Sequence, residues 1–342
     1  MSPSLDYDIL SGKTVLITGG TGSFGKNFAK DILSRSTLKK LIIFSRDELK
    51  QFQMESEISD DRVRYFLGDI RDLPRLQRAF HGVDIIVHAA ALKQVPALEY
   101  NPFEAVKTNI LGTQNIIEAA VDQKIDRVLL VSTDKAAQPV NLYGSTKLCA
   151  EKLIVAANEY CGGTTRFSVV RYGNVVGSRG SIVEHLIKRR GAEVVRVTDE
   201  RMTRFWLGLE DAFRIVLFGL THMEGGEIFI PKAPAMKITE LFDIVMPKAK
   251  RQIVGIRPGE KLHEVLLTKE EARHSASYGD YFVVLPELAS SGIQGRMQKY
   301  VNVEDPLQED FHYASDNAGR NLSRSDLMRF IESIEKSLLE QK

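Results

Sequence analysis

The sequence predicts a doubly wound parallel α/β sheet followed by a smaller, mixed C-terminal unit. Three observations carry that prediction. Short Val- and Ile-rich runs alternate with longer helical patterns from Lys13 onward, a glycine-rich turn follows the first run, and the alternation breaks down after Gly173.

The apolar runs are TVLIT from Thr14, KLIIFS from Lys40, VRYFLG from Val63, DIIVHAA from Asp84, RVLLVS from Arg127 and FSVVRY from Phe167. They are near-continuous rather than alternating, as expected of strands covered by helices on both faces. Residues 101–121 read as one helix, with Pro102 suited to a first helical position and Ile110, Ile116 and Ile117 on an apolar stripe. Beyond Gly173, Pro231, Pro234, Pro247, Pro258, Pro286 and Pro306 punctuate an irregular region. The division expected is a large-sheet domain over 10–173 and a mostly separate, substrate-covering unit over 174–342. A helix at 209–220 and the strand GEIFI from Gly226 return to the main sheet, so that the return covers 209–230. Residues 323–339 read as an amphipathic surface helix.

Composition narrows the function classes. The 342 residues hold 46 Lys plus Arg against 45 Asp plus Glu, a net charge of +1, so no general field attracts nucleic acid or an anionic membrane. Any anion must be bound locally. Cys149 and Cys161 are the only cysteines, too few for a disulfide framework and without zinc-site spacing, so no metal is expected. The cysteine usage suits a reducing cytoplasm. The N-terminal MSPSLDYDIL has no basic segment followed by an apolar run, and no stretch approaches the ~18 apolar residues that span a bilayer. The expectation is a soluble, unprocessed protein.

The turn after the first run is Gly19-Gly20-Thr21-Gly22-Ser23-Phe24-Gly25. Glycines at 19, 22 and 25 let a strand turn tightly into a helix and let its backbone approach a pyrophosphate at the helix N-terminus. A glycine triplet alone also occurs for steric reasons, but its place in the first βα turn of an alternating pattern favours the phosphate-binding turn of a Rossmann fold over a bare turn. At the end of the second run the chain reads Ser45-Arg46-Asp47, where an acidic residue would bind a ribose 2′-hydroxyl. Ser45 and Arg46 suit a 2′-phosphate instead, which favours NADP over NAD; an Arg46 paired with Asp47 is the alternative. Asp69 and Ile70 end the third run, placed to flank an adenine or to form an ordinary polar turn. Ala89 to Ala91 follow the fourth and are small enough for a cofactor to pass or for simple packing.

Ser132-Thr133 closes the fifth run, with Tyr143 and Lys147 on the next helix. Four residues apart, phenol and ammonium share one helix face, so that Lys147 is expected to lower the phenol's pKa and to touch a nicotinamide ribose. With the glycine turn upstream, these residues resemble the extended short-chain dehydrogenase/reductases. Asp134-Lys135 adds an acid/base pair, or else a plain strand-end ion pair. In sugar-nucleotide 4,6-dehydratases this position holds an acid followed most often by Glu, so Lys135 departs from the commoner pair.

The runs GGTGSFGK, SRDELKQ, HAAALKQVP, STDKAAQPVNLYGSTKL, RYGNVVGSRGS, TDERMTRFW and GIRPGEKLHE resemble UDP-N-acetylglucosamine 4,6-dehydratases of the C5-inverting type, which begin pseudaminic acid synthesis. The resemblance runs from about Leu10 to Leu266. Capsule-pathway relatives carry Met at the position of Tyr143, so the Tyr favours the pseudaminic branch. The resemblance implies NADP contacts at Thr21, Gly22, Ser23 and Phe24, at Ser45, Arg46, Asp47, Glu48, Leu49 and Lys50, and at Asp69, Ile70, Ala89, Lys93 and Lys107. Further NADP contacts fall on Tyr143 and Lys147 and on Val175, Val176, Gly177, Ser178 and Arg179.

It implies substrate contacts at Lys93, Asn174, Thr198, Arg257 and Glu260. The implied catalytic set is Thr133, Asp134, Lys135, Tyr143 and Lys147, with Lys135 as base, Asp134 as acid and Lys147 a candidate cation to lower the pKa of Lys135. The substrate implied is UDP-N-acetylglucosamine, and the assembly a homo-oligomer, since members form hexamers. The alternatives are a UDP-hexose 4-epimerase, which has no need of the Asp134-Lys135 couple, and a non-catalytic NADP-sensing regulator, which needs no Tyr143-Lys147 pair.

Overall fold

The computed structural model describes residues 6–177, 181–287, 300, 307–308 and 310–339. Its first six strands are β1 (Thr14–Thr18), β2 (Lys40–Ser45), β3 (Val63–Leu67), β4 (Ile85–His88), β5 (Arg127–Thr133) and β6 (Arg166–Tyr172). Between them run α1 (Ser23–Arg35), α2 (Glu48–Glu57), α3 (Leu73–Ala79), α4 (Val95–Tyr100), α5 (Pro102–Ala105), α6 (Gly112–Asp122) and α7 (Leu142–Tyr160). Every residue of β1 and β4 is buried, which is why these strands read as unbroken apolar runs.

The rest of the chain contributes β7 (Asn174–Val175), α8 (Ile182–Lys188), β8 (Val194–Val197), β9 (Thr203–Leu207), α9 (Leu209–His222), β10 (Ile228–Pro231), β11 (Ala235–Lys237) and α10 (Ile238–Val245). It continues with β12 (Lys250–Ile253), β13 (Val265–Leu267), α11 (Lys269–Ala272), β14 (Ser275–Tyr278), β15 (Tyr281–Val284), β16 (Tyr313–Ala314) and α12 (Arg324–Leu339).

The large sheet has the order β14-β15-β10-β6-β5-β4-β1-β2-β3, parallel from β3 through β10 and antiparallel across β15 and β14. Strand order reverses at β1, whose neighbours are β2 on one side and β4 on the other. A ligand crevice belongs there, outside the carboxyl ends of the strands. The helix α9 packs against β5, β6 and β10. Beyond residue 230 the chain gives more to this sheet than its composition suggests, because the hairpin β14–β15 supplies the two outermost strands.

Residues 101–121 are not the single regular helix expected. Between α5 and α6, Val106–Leu111 forms a π-helical turn. Its extra residue per turn brings Asn109 inward, where Nδ2 donates to Leu92 O (2.9 Å) and Thr146 Oγ1 (3.0 Å), and Oδ1 accepts from Leu92 N (2.9 Å). The strand-end loop after β4 is thereby tied to α7.

Two apolar cores result. The larger lies on both faces of the sheet. The smaller gathers Val183, Leu186, Trp206 and Phe242, and α12 closes it with Leu327, Ile331 and Ile334, spaced four and three apart on one face. Between the sheet's carboxyl edge and this second core lies a cleft of about 1660 Å³.

Candidate active site

One end of the cleft is the turn out of β1. Gly19 has φ +66°, and a Cβ there would stand 2.8 Å from Ala90 Cα, so the turn packs backbone to backbone on the segment after β4. Gly22 N donates to Gly19 O (2.9 Å), and Gly22 precedes the first turn of α1. A cradle of this shape, at a helix N-terminus and at the topological switch, fits a dinucleotide pyrophosphate. Gly19, Thr21, Gly22, Ser23, Phe24, Gly25, Ser45, Arg46, Asp47, Lys50, Asp69, Ile70 and Ala89 all line this end.

The local pairings here differ from simple expectation. Asp47 is the N-cap of α2, accepting from Lys50 N (3.0 Å) and pairing with Lys50 Nζ (2.6 Å), so Arg46 is not held by its neighbour. Arg46 approaches Asp69 instead, at 3.8 Å. Burial pushes the Asp69 carboxyl up, but Arg71 at 2.7 Å outweighs it and holds the group below the ordinary range. The Ser45 hydroxyl accepts from Gln51 Nε2 (3.1 Å). Glu48, Leu49, Lys107, Val176 and Gly177 lie off the cleft wall, Lys107 pairing with Glu104 at 3.2 Å. Ser178 and Arg179 lie outside the described residues.

At the centre the carboxyl end of β5 meets the first turn of α7. A Cβ on Gly144 would fall 2.1 Å from Lys135 O, so only glycine lets α7 approach this closely. Asn141 caps the helix, its Oδ1 accepting from Gly144 N (2.8 Å) while its Nδ2 donates to Gly259 O (2.8 Å). One residue thus fixes Tyr143 and ties the Arg257–Glu260 turn to the sheet. Thr133, Lys135, Tyr143 and Lys147 line the cleft here. Asp134 does not. It is wholly buried, its Oδ1 accepting from Lys135 Nζ (2.9 Å) and Thr133 Oγ1 (3.0 Å) and its Oδ2 without a hydrogen-bond partner.

The electrostatics correct two expectations. Burial pushes the Tyr143 phenol up to about 12; Lys135 and a hydrogen bond from Thr133 pull it back. Lys147 is not the cation that tunes it. Its Nζ donates to Val131 O (2.9 Å), and burial lowers it to about 8, opposed by Glu151. Nor do the surroundings of Lys135 release its proton. Burial would lower it, but Asp134 and Glu264 outweigh burial and hold it as an ammonium, and Arg204, rather than Lys147, is the cation that opposes them. Burial also raises Asp134, despite Lys135.

At the far end Lys93, Asn174, Thr198, Arg257 and Glu260 all reach the wall, joined by Arg189 and Arg196. Arg257 O accepts from Glu260 N (3.1 Å), closing the turn that carries both. Arginines here offer paired donors to phosphate oxygens. Among the described residues no group of three or more His, Cys, Asp or Glu is placed to hold a metal, and no helix is long and apolar enough to cross a membrane.

Comparison with known proteins agrees with this arrangement. A family model described as polysaccharide biosynthesis protein matches residues 15–286. The chain belongs to that polysaccharide biosynthesis family. Within it, the chain is 46% identical over 336 residues to a Campylobacter jejuni UDP-N-acetylglucosamine 4,6-dehydratase (inverting), covering 96% of this chain and 99% of that protein. A Rickettsia canadensis UDP-glucose 4-epimerase is 41% identical over 282 residues, covering 79% of this chain and 82% of that one. Among solved structures, Pen from Bacillus thuringiensis superposes with a TM-score of 0.85 at 35% identity, covering 95% of this chain and 99% of that one.

Several residues around this family site escape sequence reasoning. Glu264, Arg204 and Lys261 surround Lys135 although 69 or more positions separate each from it in the chain. Asn141 carries a readable signal, an Asn opening a helix, whereas Asn109 carries none because a regular helix would turn it elsewhere. Arg171 is fully buried between Glu151 (2.6 Å) and Glu271 (2.8 Å), bracing β6 against α7 and α11.

Proposed function

We propose that the protein removes water across C5 and C6 of UDP-N-acetylglucosamine, inverts C5 and releases a UDP-linked 4-keto-6-deoxy-L-arabino sugar. The observation that carries this reading is Lys135 on the cleft wall, 2.9 Å from the buried Asp134 and beside Thr133 and Tyr143. Epimerisation at C4 needs one acid/base group, which Tyr143 supplies, and leaves the Asp134–Lys135 couple without a task. Elimination needs both. The near-full-length similarity to an inverting dehydratase supports the same choice.

NADP, when bound, supplies the hydride acceptor at C4 and the hydride donor at C6. The turn at Gly19 and the residues Ser45 and Arg46 are assigned to hold it, the arginine favouring NADP over NAD. Tyr143 takes the proton of the C4 hydroxyl, helped by the Thr133 hydroxyl and the Lys135 ammonium. Once C4 is a ketone the C5 hydrogen is acidic, and Lys135 removes it. Asp134 holds the proton for the departing C6 hydroxyl and passes it by way of Thr133, since its own carboxyl is off the wall. Arg257 and Lys93 hold phosphate or sugar oxygens, and Asn174 a hydroxyl or acetamido group. On the family resemblance we assign the reaction to the start of pseudaminic acid synthesis, in the cytoplasm and in a homo-oligomer.

The test is Lys135→Ala with UDP-N-acetylglucosamine in deuterated water. This variant should retain some C4 oxidation but lose both C5 deuterium incorporation and dehydration. Normal C5 exchange would remove Lys135 as the base.

A further inference from the structure

The elimination demands a neutral lysine and a protonated aspartate, yet Lys135 sits as an ammonium between two carboxylates. Asp134 Oδ1 is 2.9 Å from its Nζ and Glu264 Oε1 3.2 Å. Glu264 is a costly residue to enclose. Its side chain is 4% exposed, Oε2 has no hydrogen-bond partner, and an apolar side chain would serve packing better. Its backbone is fixed at both ends, N donating to Ser315 Oγ (2.9 Å) and O accepting from Ser315 N (2.8 Å). These bonds hold the main chain from which the carboxylate reaches Lys135.

The groups facing it come from every side. Asp134 and Lys135 follow β5, Arg204 reaches from β9 with Nε 3.8 Å from Oε1, and Lys261 stands 3.7 Å from Oε2. The other guanidinium donors of Arg204 go to the carbonyls of Thr203, Leu262 and Lys261 and to Met202 Sδ, and Lys261 Nζ also donates to Ala137 O (2.6 Å). Neighbouring His263 is engaged by Thr203 Oγ1 (2.8 Å). When Lys135 is neutral and Asp134 ionised, two cations face two carboxylates, so the cluster tolerates either state of Lys135.

We propose that Glu264 is a positioning residue that keeps one proton shared between Asp134 and Lys135, so that acid and base are generated together. This rests on the assignment of Lys135 as the base. At rest the proton is on Lys135. It crosses the 2.9 Å bond to Asp134, leaving an amine and a carboxylic acid. The amine then takes the C5 hydrogen as a proton, and the C5–H electron pair forms the C5–C6 double bond. The C6 hydroxyl leaves with the Asp134 proton, relayed by Thr133, as water. The pair returns to ammonium and carboxylate, and Glu264 changes charge at no stage. Were the shared proton lost to solvent, the base would remain and the acid would not, so dehydration falls at alkaline pH. The negative charge of Glu264 places that limb, because a charge about 4–6 Å away or nearer moves a proton affinity by roughly 1–3 pH units.

The experiment is the pH profile of dehydration of UDP-N-acetylglucosamine by the NADP-loaded protein, with C4 oxidation followed in parallel. Glu264→Gln should move the alkaline limb of dehydration down by about one pH unit or more. Glu264→Asp should keep it near the wild-type position even where the rate is lower. Lys261→Gln, which removes the cation behind the same carboxylate, should move it upward. A purely structural role lowers rates without moving limbs in opposite directions. An unmoved limb in Glu264→Gln overturns the proposal, and if that variant does not fold, an unmoved or lowered limb in Lys261→Gln does so. Normal C5 exchange in Lys135→Ala would instead sink the base assignment beneath it, a separate failure.

Discussion

Replacing Arg46 by Ala isolates the choice between the two phosphorylation states of the cofactor. The guanidinium is 55% exposed and its nearest carboxylate, Asp69, is 3.8 Å away. Asp69 keeps Arg71 at 2.7 Å, so removing Arg46 leaves no buried charge behind and the fold is unaffected. A charge-assisted hydrogen bond contributes ~1.5–3 kcal/mol, and the exposure of Arg46 points to the lower end of that range. A loss of ~1.5 kcal/mol weakens NADP binding about tenfold, while NAD, without a 2′-phosphate, should change less than about twofold. Calorimetric titration of both dinucleotides into wild type and variant reads the difference directly. Equal weakening for both would mean that Arg46 only shapes the loop, and no weakening for either would move the 2′-phosphate contact elsewhere.

Tyr143→Phe should abolish C4 oxidation, so that neither reduced cofactor nor C5 exchange is detected in a single turnover; exchange at the normal rate would assign the first proton to another group. Burial, with Lys147 second, lowers His88 from 6.5 to about 3. The ring stays neutral in the folded protein while the unfolded chain takes up a proton. Stability should therefore fall as pH drops from about 6.5 toward 3, and His88→Gln should flatten that slope in urea titrations at stepped pH. A slope identical to wild type would contradict the neutral, buried imidazole, whose Nδ1 meets Thr18 Oγ1 at 2.7 Å.

The strands were legible because most of them are buried on both faces. TVLIT and KLIIFS coincide with β1 and β2, and the helix expected at 209–220 extends only to His222. The edge pair β14–β15 was not, since four-residue antiparallel strands leave little signal among prolines. At the site, residues adjacent in sequence or one helical turn apart could be read from spacing. Tyr143 and Lys147 do share a face of α7, but spacing says nothing of what else approaches. Lys147 turns to a strand carbonyl, and the groups governing Lys135 arrive from β9 and from the segment before β13. Long-range charge clusters have no local pattern. The same reason hid Asn109, whose inward position follows from a π-helical turn that no periodicity announces.

The most direct test of the whole account is the wild-type reaction with UDP-N-acetylglucosamine in deuterated water, without added reductant, followed by proton NMR. The account predicts a 6-deoxy-4-keto product carrying a C6 methyl signal, deuterium at C5 and the L-arabino configuration. A product that keeps its C6 hydroxyl and differs only at C4, or a 6-deoxy product of unchanged C5 configuration, would contradict it.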